Sequence, residues 1–193
     1  QGTLSVGTIE DGSVPGNLGA AAADADNLVL NGGTLRYTGA PASTNRVITL
    51  TPGVTTSAVD VTNSLTLSSA IPASTGALTK LGAGTLNFTT ANAYTGSTTV
   101  SAGTLNLNTT AANAIAGNLT VAGGTAALLQ SDQIPNAANV VVSGGTLDIG
   151  ANSDTVNGVQ LTGGSINGSG GTLTSATTFD LQAGSASAIL AGA

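Results

Sequence analysis

Cysteine, histidine, methionine and tryptophan are all missing from the 193 residues, and only three side chains, Arg36, Arg46 and Lys80, are cationic. Without His or Cys the usual zinc ligand sets, a haem attachment, a cysteine nucleophile and a Ser-His-Asp triad are unavailable. Three cations cannot neutralise a row of phosphates, which argues against nucleic-acid binding. Nine acidic residues bring the formal net charge to −6, enough to aid solubility and unfavourable at an anionic membrane surface. No run of about 18 apolar residues is present, so no segment of this sequence can span a membrane as a helix. The absence of cysteine is compatible with an extracellular protein that needs no disulfides.

Charge is also scarce overall. Charged residues make up 6% of the chain and hydrophobic ones 40%, whereas disorder goes with high charge and low hydrophobicity. Strong helix formers other than Ala and Leu are few, while Thr, Val, Asn, Ser and 28 glycines are abundant. That balance favours strands joined by tight turns, and hence an all-β protein. The opening residues Gln1-Gly2-Thr3-Leu4-Ser5-Val6 carry no basic or apolar leader and read as the middle of a strand, so the chain is expected to be a mature piece of something longer.

What the sequence does have is a repeat. The pattern Val140-Val141-Val142-Ser143-Gly144-Gly145-Thr146-Leu147-Asp148-Ile149 matches Leu28-Val29-Leu30-Asn31-Gly32-Gly33-Thr34-Leu35-Arg36-Tyr37, and looser copies lie between and after them. The Thr or Ser that follows the glycine falls at Thr85, Thr104, Thr125, Thr146, Ser165 and Ser185, at intervals of 19, 21, 21, 19 and 20. Within each copy apolar and polar residues alternate, as in a strand with one dry face. A unit of this size cannot bury that face alone, but stacked copies make a continuous interior. Val100, Val121, Val142 and Leu161 are then expected in one inward column, and Leu105, Ala126, Leu147 and Ile166 in another. The glycines suit corners that need positive φ or close backbone approach.

These features predict a right-handed parallel β-helix (β-solenoid) with about 20 residues per coil. A sandwich or an up-and-down barrel would give no reason for one corner motif to recur at a fixed interval. About ten coils at the spacing of paired strands make a rod of roughly 45–50 Å. The reading is a single solenoid segment over residues 1–193, most regular at 76–190, with irregular coils or loop insertions around 39–75. Residues 39–45 and 70–74 are the expected loops, and the Ala-rich residues 19–25 form either a short helix or, preferably, a loop on the flank.

The stretch Gly76-Ala77-Leu78-Thr79-Lys80-Leu81-Gly82-Ala83-Gly84-Thr85-Leu86-Asn87-Phe88, running on through Tyr94-Thr95-Gly96-Ser97-Thr98-Thr99-Val100-Ser101-Ala102-Gly103-Thr104-Leu105, closely resembles the autotransporter-associated β-strand repeat. Residues 27–37 and 179–193 look like inter-repeat sequence of the same large surface proteins. The resemblance implies a secreted, surface-displayed β-helical passenger of a bacterium, located outside the cell or on its outer surface. It also makes Lys80 and Tyr94 repeat positions.

Residues that could carry chemistry are sparse. Glu10 and Asp11 are adjacent and would diverge on a strand, so they read as solvated turn carboxylates rather than a glycosidase pair. Asp24 and Asp26 with Asn27 could offer oxygen ligands to calcium, but neither an EF-hand loop nor a calcium-binding β-roll repeat is present. Arg36 and Arg46 read as surface positions, Lys80 as a solvated rung residue, and Tyr37 and Tyr94 as a poor platform for stacking sugars. No catalytic residue, metal ligand or cofactor is assigned. The expected role is a non-enzymatic stalk or adhesin-like segment, with a subunit of a self-assembling extracellular filament as the alternative and a polysaccharide-acting enzyme behind both. Expected partners are neighbouring repeats of the parent chain or other copies stacked end to end, and a glycan or cell-surface ligand on the Thr and Asn ladders of the flat faces.

Overall fold

Alternation of apolar and polar residues sets which way each strand faces, and repetition at nearly constant spacing then sets apolar residue over apolar residue. The computed structural model describes residues 2–111 and 113–192, and contains twenty-two strands and no helix among them. Gln1 and Ala193, the two ends expected to present uncapped strand edges, lie outside the described residues. The strands pair in parallel, each with the equivalent strand of the coil before and the coil after, which makes a β-solenoid.

One face is a sheet of nine strands, from Thr3–Val6 through Leu78–Leu81 to Phe179–Leu181, and the second a sheet of eight, from Ala42–Thr44 through Thr104–Leu107 to Ser185–Ala186. The third side has strands near its ends only: Val29–Leu30 with Thr49–Leu50, and Asp154–Val156, Thr172–Ser175 and Ile189–Gly192. On the first face Leu78, Thr98, Leu119, Val140, Val159 and Phe179 are successive register partners, so these coils are 20, 21, 21, 19 and 20 residues long. Nine strands are eight steps, about 38 Å of rod at ~4.8 Å per step. The stack therefore has about eight turns rather than ten, because its early coils are longer than the repeat. Thr3 pairs with Thr34 and Thr34 with Ala58, spacings of 31 and 24.

Both predicted columns are present. Val100, Val121, Val142 and Leu161 are vertical neighbours on the first face. Leu105, Ala126, Leu147 and Ile166 are vertical neighbours on the second, and all but Leu161 among these eight are fully enclosed. Gly145 and Gly164 show why the corner is glycine: a Cβ on either would lie 2.2 or 2.1 Å from the carbonyl oxygen of Gly124 or Gly145 in the coil beneath. Gly164 also has φ of 76°, while Gly145 is required by close approach alone.

Two expectations are corrected. The segment 39–45 is not simply a loop, because Ala42–Thr44 pairs with Ser64–Leu67 as the first strand of the second face. The motif at 28–37 looks like the one at 140–149 but turns a different corner. Thr34 opens a first-face strand in line with Ala58, whereas Thr146 opens a second-face strand. Gly-Gly-Thr is a generic corner signal, and this displacement is why Thr34 and Thr85 are not separated by whole coils. The Ala-rich residues 19–25, by contrast, are the loop preferred for them, part of a long excursion over residues 7–28.

Candidate functional site

The cations and aromatic rings are the first residues to place, and most are inside. Lys80 is fully buried, because it has the parity of Leu78 along its strand and stands in register between Val59 and Val100 of the inward column. It is not a solvated rung. Its Nζ reaches the corner and donates to the carbonyls of Leu81 (2.7 Å), Gly82 (2.9 Å) and Ala102 (3.2 Å). Burial pulls its pKa down to about 8, against the opposing attraction of Asp60.

Arg46 is not at the surface either, being 4% exposed. Its guanidinium donates to the carbonyls of Glu10, Val14, Gly19 and Ala21, so a single side chain gathers the excursion over residues 7–28. Asp11, exposed as expected, nevertheless accepts the Asn45 amide at 2.7 Å and ties that excursion to the next coil. Arg36 does face outward, opposite Asp60 on the neighbouring strand at 3.5 Å. Tyr37 and Tyr94 are buried and cannot offer a ring face to a sugar. Tyr94 shares a 2.6 Å hydrogen bond with Thr98, and burial raises the pKa of its phenol and of Tyr37's, where Glu10 adds a smaller push.

The third side, where strands give way to loop, is held by buried polar side chains. Asn92 accepts the Ile71 amide at 2.7 Å and donates to the Ala114 carbonyl at 2.7 Å, bridging the coil below to the coil above. Gln133 accepts from the Thr109 amide and donates to the Thr109 carbonyl. Asp154 accepts the amides of Gln133 and Ile134. These groups supply partners that a strand ladder would otherwise give, since a buried backbone amide without one is costly. Periodicity in the sequence did not disclose them, because along most of the third side loops stand where the other two have alternating strands, and the strand of Asp154 is only three residues long.

Among the described residues no group of three or more Asp or Glu side chains could hold a metal ion, and the Asp24 to Asn27 segment closes a turn through the Asn27 amide and the Asp24 carbonyl. What the fold does assemble is an outward column of hydroxyls on the second face. Ser64, Thr85, Thr104, Thr125, Thr146, Ser165 and Ser185 stand in register one above another. Beside it runs a second column that includes Thr66, Asn87, Asn106, Asp148 and Asn167. Asn106 donates to Asn87 at 2.8 Å, and Thr146 and Ser165 share a hydrogen bond of 3.1 Å, so the columns are partly self-satisfied. Of the exposed large apolar side chains, Leu4 and Val29 lie at one end of the stack and Leu181 and Ile189 at the other, while Val14 and Leu129 lie away from the end strands. An open cleft of about 390 Å³ lies against Leu4 and Val29.

Comparison with known proteins agrees with this geometry. The family model of the passenger-associated transport repeat matches residues 78–107. That span runs from the first-face strand bearing Lys80 to the end of the second-face strand one coil later, and includes Tyr94 and the corner carbonyls that Lys80 grips. The chain is 45% identical over 105 residues to the adhesin BmaC autotransporter of Brucella suis biovar 1 (strain 1330), which covers 54% of this chain and 3% of that protein. No solved structure matches. Residues 78–107 thus match the passenger-associated transport repeat within a β-solenoid similar to part of an autotransporter adhesin, and the two findings indicate an extracellular or cell-surface location.

Proposed function

We propose that the chain is a non-enzymatic segment of a bacterial surface passenger, a stiff stalk that also presents a flat adhesive face. The observation that carries this reading is the unbroken vertical register of the coils from Leu78 to Phe179, with polar columns outward and little chemistry gathered anywhere along them. A stack in which each coil touches its neighbours converts sequence length into reach. The relative is named an adhesin, which supports contact with a surface ligand. The columns of Thr104 and Asn106 suit a neutral hydrogen-bonding partner such as a glycan, because Asp148 is the one charge among the residues named in them.

Beads coated with the chain should adhere to cultured epithelial monolayers above albumin-coated beads, and the double variant Thr104→Glu, Thr125→Glu should abolish the excess while remaining folded. Equal adhesion by that variant removes the second face from the reading, and no adhesion by the parent chain leaves a stalk without an adhesive role. A filament subunit is a second reading, favoured by the exposed Leu4, Val29, Leu181 and Ile189. It requires long fibres with an axial repeat near the rod length in micrographs of the purified chain, where a stalk segment gives short rods. A polysaccharide-acting enzyme would instead release reducing ends from an acidic or neutral glycan.

A further inference from the structure

Asp154 is a carboxylate enclosed on the third side, 2% exposed, in a part of the molecule with no positive side chain. From residue 81 onward the sequence contains no Lys, Arg or His, and its acids are Asp132, Asp148, Asp154 and Asp180. One oxygen of Asp154, Oδ2, accepts the Gln133 amide at 2.8 Å and the Ile134 amide at 3.0 Å. The other, Oδ1, is buried and has no hydrogen-bond partner among the described residues. An ionised carboxylate there is desolvated on one side without compensation.

The surroundings add repulsion rather than relief. The turn that donates the two amides contains Asp132, whose negative charge acts on Asp154. The strand Thr172–Ser175, which pairs with Asp154–Val156 and sets Leu173 opposite Asp154, is uncharged. The preceding strand, Thr146–Gly150, carries Asp148 on its outward column, engaged with the Gly150 amide at 3.0 Å. No cation faces the group from any of these elements.

We propose that Asp154 is a proton-operated latch between the coil containing Gln133 and Ile134 and the coil that follows, closed when its carboxyl is protonated and loosened when it ionises. Its action passes one coil further, because Gln133 itself clasps both backbone groups of Thr109. Burial raises the pKa of Asp154 to about 6, opposed by the amides of Ile134, Gln133 and Thr155 and reinforced by Asp132. A folded-state pKa above the unfolded value means that the contribution is fully present below the unfolded value and is lost as pH rises through about 6. The solenoid is therefore tighter in mildly acidic surroundings, the reverse of ordinary acid denaturation. This inference does not depend on what, if anything, the outer faces bind.

Hydrogen exchange of the Gln133 and Ile134 amides at pH 5 and pH 7.5, corrected for intrinsic rates, tests it, with the amides of strand Leu78–Leu81 as the internal reference. Opening at 133–134 should increase at the higher pH by about tenfold, the part of the shift from 3.8 to about 6 that is titrated between pH 5 and pH 7.5, while the reference strand stays unchanged. Asp154→Asn keeps an acceptor for the two amides and cannot ionise, so its exchange should not depend on pH. Carbon-13 titration of the parent protein's Asp154 carboxyl should give a midpoint near 6. A midpoint near 4 overturns the proposal even if Asp154→Asn does not fold, and so does the same pH dependence in parent and variant.

Discussion

Replacing Leu147 by Asp is the most demanding test of the stacked interior. Leu147 is fully buried on the second face, with Ala126 beneath and Ile166 above, and Ala126 is already the smallest side chain of that column. Removing a buried Leu side chain costs about 2–5 kcal/mol. The carboxylate that replaces it meets no cation, since Lys80 is the last in the sequence, and an unpaired buried charge adds several kcal/mol. The sum is on the order of the whole stability of an ordinary domain. Asn106→Asp, two coils away and facing outward, forfeits the hydrogen bond to Asn87 and should cost only about 1 kcal/mol. Thermal melts followed by far-ultraviolet circular dichroism, with hydrogen exchange to locate the opening, should show Leu147→Asp unfolded or opened around residues 125–168 and Asn106→Asp melting close to the parent. Equal melting temperatures for the two variants would refute the assignment of inward and outward faces.

Other consequences can be checked with similar means. Arg46→Met should release the excursion over residues 7–28, read as rapid proteolytic nicking there, while exchange in the coils beyond Leu78 stays slow. Gly145→Val drives a side chain onto the Gly124 carbonyl and should disrupt the corner, lowering the melting temperature more than Gly170→Val, where nothing lies within 4 Å of the added atom although φ is 130°. Lys80 supplies a pH test at the alkaline end. A folded pKa pulled down to about 8 leaves the unfolded chain holding more protons above that pH, so stability should rise from about pH 8 toward the ordinary lysine value. Lys80→Met should lose that rise, and an unchanged alkaline profile in the variant would contradict the burial of the ammonium.

How much of this was legible beforehand depended on whether a residue took part in the two-residue alternation. Thr85, Thr104, Thr125, Thr146, Ser165 and Ser185 were identified as equivalent from spacing alone, and they are register partners throughout. Lys80 was misjudged by its charge, although two signals pointed inward: it has the parity of Leu78, and it precedes Val100 by 20 residues. Long stems let a lysine occupy a core column provided its ammonium finds carbonyls at the edge, as it does here. Arg46 lay in the irregular region, where no period assigns a face, and its partners are backbone carbonyls of the excursion, which carry no sequence signature. The same holds for Asn92 and Gln133, whose burial follows from loop geometry on the third side, while Asp154 shares the inward parity of Val156 in a strand of only three residues, too short to show a period.

The fixed register along both sheets makes length an adjustable quantity. Because Thr85, Thr104 and Thr125 occupy one column, deleting the 21 residues from Thr104 to the position before Thr125 would set Thr125 directly on Thr85 and leave the flanking contacts alike in kind. Each such edit shortens the molecule by about 4.8 Å. A gene encoding such coils can thus lengthen or trim its product by duplication or loss, like links in a watch strap, without redesigning what the remaining links present on their sides.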